Sequence, residues 1–275
     1  MRYFITIVFL FTSLHAMFED YAKGPKGLGL GDAFYTMAND PTAIFYNPAG
    51  LADLEKFNAQ AGFGNKYQHQ DLNELFLAAT YNFNKLGTAG IGLSQIGPSF
   101  MQERQVIIAH GIEIAPYLKA GYSLQMYQIT QDDGSKKESA TAFGGNLGIL
   151  SRIYERWQFG FSLHNISEPE IGQEGEKIPQ SLAAGVSYFF ASNICTNINL
   201  RAEGDKPVSI LAGQEFGINE YFSLRAGLGT EPRHISGGLS LKYKYVDIIY
   251  GANYIENLPL SHNVSLNFSI PQLTR

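Results

Sequence analysis

At 275 residues the chain has room for one large domain or two small ones, and no linker divides it. Its 20 basic and 25 acidic residues give a formal net charge of −5, which argues against nucleic-acid binding. Hydrophobic residues make up 45% and mean hydropathy is −0.10, low for a bundle of membrane helices but suited to a wall with one apolar face.

In chain order, residues 1–16 read as a cleavable export signal: Arg2, an apolar run over 4–11, then Thr12-Ser13-Leu14-His15-Ala16 before Met17. That run is too short to cross a bilayer as a helix, and no other segment approaches 18 uninterrupted apolar residues. Residues 17–55 follow and show no alternation. Gly27, Gly29 and Gly31 allow the backbone to lie close to another surface or to take positive φ. Asn39-Asp40-Pro41 and Asn47-Pro48-Ala49-Gly50 are turn formers, because proline fixes φ and Asn or Asp side chains bond nearby amides. The stretch 42–47 predicts a short helix capped near Asp40. All these residues shape the chain before they contact a ligand.

From about 57 to 270 one pattern repeats: apolar and polar residues alternate, a turn follows, and the alternation resumes. Fourteen strands are predicted, centred on 57–64, 75–83, 87–95, 104–114, 118–129, 140–150, 157–166, 181–190, 194–202, 208–217, 221–229, 235–244, 246–254 and 260–270. Each is close to the roughly 9–11 residues a tilted strand needs to cross a bilayer. One parity is apolar, as in Leu75, Leu77, Ala79, Tyr81 and Phe83, or Leu118, Ala120, Tyr122, Leu124 and Met126. The other carries Gly, Ser, Asn and Gln with the charges Glu113, Lys119, Arg201, Glu215, Arg225, Lys242 and Asp247. Cys195 falls on that polar parity and, as the single cysteine, makes no intrachain disulfide. A charge on a lipid face costs roughly 2–4 kcal/mol at the midplane, so this segregation suits a membrane barrel with a wet lumen.

Long and short connections alternate along the chain. Long ones fall near 65–73, 97–103, 130–139 and 167–179, moderate ones near 203–207, 230–234 and 255–259, with tight turns between. Short periplasmic turns and longer outer loops are the habit of bacterial barrels, and this order puts both chain ends in the periplasm. Aromatics such as Tyr81, Phe83, Tyr117, Trp157, Tyr188, Tyr221 and Tyr243 gather at the short-turn ends as one interfacial girdle. A soluble sandwich or propeller also alternates, and periodicity alone leaves open which face is inside. The export signal without a membrane helix favours the outer membrane of a diderm bacterium. The domains expected are therefore 1–16 signal, 17–55 N-terminal segment and 56–275 all-β transmembrane antiparallel barrel.

Over 24–52 the chain resembles the superfamily of fatty-acid-transporter-like outer-membrane barrels. Members carry a glycine-rich LGxGxA element and a DPxAxxxNPAGL element just after the leader, matched here by the runs 28–33 and 40–51. In its compact length the chain is most similar to the PorV/PorQ branch, whose members in some phyla serve the type IX secretion system. The resemblance implies a fourteen-stranded barrel whose lumen is plugged by the N-terminal segment as a hatch. A lumen of that size is too wide for strand side chains to fill, which agrees with it.

Catalytic and metal chemistry find no support. Gly27, Gly29 and Gly31 follow no strand and miss the dinucleotide spacing, the histidines lack ligand spacing, and no Ser–His–Asp arrangement can be argued. The chain is expected to be no enzyme and to need no cofactor or metal. Its expected partners are outer-membrane lipids and either hydrophobic small molecules or secretion-system proteins. Two functions remain open. One is passage of small hydrophobic compounds, with Phe34, Met37, Ile44, Phe45 and Tyr46 as candidate ligand contacts and Gly144 or Gly160 as candidate places for a wall opening. The other is a docking platform for protein secretion or surface attachment.

Overall fold

The computed structural model describes residues 18, 23–132, 134, 136–172 and 175–271. The expected signal over 1–16 lies outside the described residues, as do 272–275. The strands are β1 (Phe57–Asn65), β2 (Asn73–Asn82), β3 (Thr88–Ile96), β4 (Met101–Ala115), β5 (Leu118–Asp132), β6 (Lys137–Ile153) and β7 (Trp157–His164). A two-residue pair follows, β8 (Glu170–Ile171) and β9 (Glu176–Lys177). Then come β10 (Ser181–Ala191), β11 (Ile194–Glu203), β12 (Ser209–Gly217), β13 (Phe222–Thr230), β14 (Arg233–Tyr243), β15 (Val246–Ile255) and β16 (Ser261–Ile270).

All strands but β8 and β9 join one closed antiparallel barrel of 14, sealed where β1 pairs with β16 from Phe57–Ile270 to Asn65–His262. Each predicted strand forms within three residues of its expected ends. Closure leaves no strand of the barrel with a free side along its whole length, which a bilayer demands because hydrocarbon offers unpaired backbone groups no partner. The ladders slip at two places, between Glu113 and Ala115 and between Phe189 and Ala191, both beside short turns.

Alternation sorts the side chains as expected. Leu75, Ile108, Tyr122, Leu124, Phe143, Leu200, Ile235 and Leu266 point outward and are exposed. The girdle aromatics Tyr81, Phe83, Tyr117, Trp157, Phe190, Tyr221 and Tyr243 are exposed at the short-turn end. Inward positions are buried and polar, among them Asn58, Gln60, Ser123, Gln125, Asn146, Ser187, Asn197, Asn199 and Ser265.

The wall departs from expectation in one place. The predicted strand 157–166 stops at His164, and β6 pairs with β7 only from Leu147–Leu163 to Ile153–Trp157. Residues 137–146 of β6 therefore pair in a ladder with β5 alone, joined on the other side by the Ile166 amide donating to the Gly145 carbonyl. The connection from 165 to 180, with β8 and β9 in it, packs Ile171 and Ile178 on the inward Tyr127, Ile129 and Ala142. Gly144 lies in this stretch, whereas Gly160 lies within the paired part of β7.

Candidate functional site

Residues 23–55 lie inside the barrel. They form α1 (Pro25–Gly29), α2 (Ala43–Tyr46) and a 3-10 turn over Pro48–Asp53, with no strand. Local chemistry explains the path. Proline opens α1, and the Asp40 carboxylate accepts from the Thr42 amide at 2.8 Å and from its hydroxyl, which sets the short helix predicted over 42–47. Asn47 caps the 3-10 turn, its Oδ1 accepting from the Ala49 amide at 3.1 Å. Gly31 takes φ of 61°, a conformation glycine adopts without penalty.

The segment rests on the wall where the wall has no side chains. Gly111, Gly121 and Gly148 face one another in register on β4, β5 and β6. Cβ atoms built there would stand 2.6 Å from the Pro48 oxygen, 2.3 Å from the Pro48 carbonyl carbon and 2.1 Å from Asn47 Oδ1. Across the lumen Gly213 pairs with Gly227 and Gly238 with Gly251, on β12 to β15. Cβ atoms on Gly227 and Gly251 would stand 2.2 Å from Leu30 carbonyl carbon and 2.1 Å from the Pro25 oxygen. The Asn47-Pro48 turn and the glycine-rich stretch around Pro25 and Leu30 thus sit on glycine patches of the barrel.

Polar ties complete the seat. The Asn47 amide donates to the Tyr35 carbonyl at 3.0 Å and to the wall carbonyls of Phe161 and Ile149 at 3.3 and 3.4 Å. His164 Nε2 lies 2.7 Å from the Tyr46 carbonyl oxygen, to which it donates, and Gln158 donates to the Thr36 carbonyl at 2.6 Å. Lys26 reaches Asn39 at 2.8 Å and Glu215 at 3.5 Å, Glu215 also holds Arg225, and Asp53 pairs with Lys119. Several of the inward charges are therefore bound to the segment, as buried charges must be.

Phe34, Met37, Ile44, Phe45 and Tyr46 come together, packed with Leu30, Tyr35 and Leu51 against Phe76, Ile107 and Ala109 of the wall. Phe34 and Tyr46 meet edge to face at 5.2 Å. None exceeds 5% exposure, so the five are the packed core of the segment, and Phe45 also reaches a small cavity. That small cavity, about 40 Å³, is also lined by Ile96, Tyr127 and Phe18, whose ring stands edge-on to Tyr127 at 4.7 Å. The Phe18 amide donates to the Glu103 carboxylate at 3.2 Å.

A larger cavity of about 350 Å³ opens at the long-loop end, above Leu28 and Asp32 of the segment. Its walls come from the loop-side ends of β1, β2, β11, β12, β14, β15 and β16. Lys66, in the loop after β1, lines it; burial pulls its ammonium down to about 7, against the attraction of the Glu74 carboxylate. Sequence reasoning missed this cavity and the wall glycines. The available signal was glycine recurring at the inward parity of neighbouring strands.

A closed antiparallel barrel of 14 strands, exposed apolar residues facing out and polar ones in, is the fold of an outer-membrane barrel, and the chain is placed in the outer membrane of a Gram-negative bacterium. Among solved structures it is similar to the toluene transporter TbuX of Ralstonia pickettii, with TM-score 0.73 and 12% identity over 90% of this chain and 98% of that one. The monoaromatic hydrocarbon channel CymD gives TM-score 0.68 and 12% identity over the same shares. A Pseudomonas aeruginosa FadL homologue gives 0.61 and 11%, again over 90% and 98%. At these identities the likeness is one of fold. No family model matches the chain, and no curated protein does either.

Proposed function

We propose that the chain is a non-enzymatic channel that passes small hydrophobic compounds across the outer membrane, with 17–55 as a hatch and 56–275 as the barrel around it. The observation that carries this reading is the apolar cluster of Phe34, Met37, Ile44, Phe45 and Tyr46 held inside the lumen against Phe76, Ile107 and Ala109 of the wall. A pore for ions or sugars gains nothing from such a cluster. Where Phe45 brings the edge of that cluster to the small cavity, a hydrophobic compound finds the environment it leaves water to reach. The glycine-seated segment blocks water and salt, and the stretch of β6 around Gly144, without a ladder partner on β7, supplies a place for lateral release into the bilayer. The toluene transporter TbuX and the monoaromatic hydrocarbon channel CymD, which share the fold, support the same direction.

Uptake of radiolabelled toluene tests the reading. Cells with an intact outer membrane that express the chain should take up toluene several-fold faster than cells that do not, and equal rates would overturn the proposal. The docking role in a type IX-like secretion system rests on the sequence resemblance alone; periplasmic retention of secreted cargo after deletion of the gene would favour it instead.

A further inference from the structure

The two cavities meet along a line of charges. Glu203 on β11 lines both of them. Half a turn away in the ring of 14 strands, an ion pair spans the same boundary. Lys23 lines the small cavity, Glu74 on β2 lines the large one, and Lys23 Nζ stands 3.2 Å from the Glu74 carboxylate. Pairing across the wall traces the same line. Ile96 on β3, the cross-strand partner of Glu74, lines the small cavity, as does Ser181 on β10, the partner of Glu203. Glu203 is held by Lys206 at 2.9 Å, and Lys66 on the large-cavity side interacts with the charges of Glu74, Lys23 and Glu103.

The cavities differ in what they reach. The large one opens at the long-loop end, above Leu28 and Asp32. The small one meets Phe45, and it lies against Gln125 and Tyr127, the cross-strand partners of Gly144 and Ala142 in the stretch of β6 that β7 leaves unpaired. A compound travelling from the large cavity to that stretch crosses the charged line. Lys23 is the part of the line free to move. From Pro25 onward the inner segment is pinned to the glycine patches, but Lys23 precedes Gly24, whose φ of 106° is open to glycine and strained for other residues. Lys23 therefore swings while α1 stays seated. Glu74, 2% exposed, keeps Lys66 as a neighbouring cation when Lys23 leaves, so its charge is not stranded.

We infer that Lys23 gates passage between the two cavities, closed while it pairs with Glu74 and open to a neutral hydrophobic molecule when it swings aside. An apolar molecule solvates neither charge, so the intact pair is a barrier to it. The inference rests on the reading of the barrel as a channel for hydrophobic compounds and adds the residue that controls one step of the route.

The test uses the full chain in the outer membrane of intact cells, with a reporter thiol in one cavity or the other: Ser94→Cys in the small one, Ser261→Cys in the large one. Benzyl methanethiosulfonate, a neutral aromatic thiol reagent, is added outside and its attachment followed by mass spectrometry. The chain carrying Cys195 alone is the blank. Lys23→Met and Glu74→Gln should each speed modification of the Ser94→Cys reporter at least about five-fold, whereas Lys23→Arg, which keeps the pair, should stay within about two-fold of native. The Ser261→Cys reporter should react at its native rate in all three. An unchanged rate at the small-cavity reporter in Lys23→Met, or equal acceleration at both reporters, overturns the inference. Lys23→Met decides the matter if Glu74→Gln fails to fold, since it leaves the wall untouched. Toluene uptake by cells is read separately: uptake with an ungated reporter defeats this inference alone, and a gated reporter without uptake defeats the channel alone.

Discussion

Asn47 shows what one side chain does here. It caps a turn through Oδ1 and, through its amide nitrogen, reaches carbonyls of Tyr35, Ile149 and Phe161, two of them on the barrel wall. Its place before Pro48 marks it as a turn residue in the sequence. The wall carbonyls lie more than a hundred positions away, at 149 and 161, so nothing local reveals them. Asn47→Ala strips the cap and leaves buried carbonyls unmatched, and should cost about 2–3 kcal/mol. Asn47→Asp keeps the cap but turns a carboxylate toward those carbonyls, and should cost more. The temperature at which the folded form disappears on unheated-sample electrophoresis ranks the two. The five aromatic and aliphatic residues expected to touch a ligand were legible as apolar, and the structure adds that they first touch one another.

At the scale of elements, the strands were legible because period-2 alternation is a property of each strand alone and each is flanked by turn formers. The β8–β9 pair was not, since two residues per strand carry no periodicity, and its anchors Ile171 and Ile178 find their partners on β5 and β6. The seat of the inner segment depends on pairs of glycines meeting in register, and register is set by the whole sheet. Gly121→Val places side-chain atoms where Pro48 lies, so the Asn47-Pro48-Ala49 turn should lift and the barrel should leak. Planar-bilayer recordings should show stable ion conductance several-fold above the native protein. Gly145→Val is the control: its Cβ would meet nothing closer than 3.7 Å, and conductance should stay at the native level.

For the whole molecule, the decisive question was which face of the strands is dry, and alternation is silent on that. The structure answers through closure: the ring of β1 to β16 leaves Leu124, Phe143, Ile235 and Leu266 outside with no protein to cover them. Leu124 lies midway along β5, so Leu124→Arg should cost roughly 2–4 kcal/mol in a bilayer. The yield of folded barrel in phospholipid vesicles should fall accordingly, with much less effect for a charge at Tyr117 beside the short turn. A protein with its leucines in a dry centre would show the opposite order.

The glycine patches under Pro25 and Leu30 belong to β12 through β15, near the far end of the chain. What the ribosome makes early thus comes to rest on what it makes late. The amino-terminal stretch has no finished berth until those closing strands are in place, and a barrel halted midway through insertion must carry it loose. Resistance of that stretch to a protease therefore reports that biogenesis has run to completion.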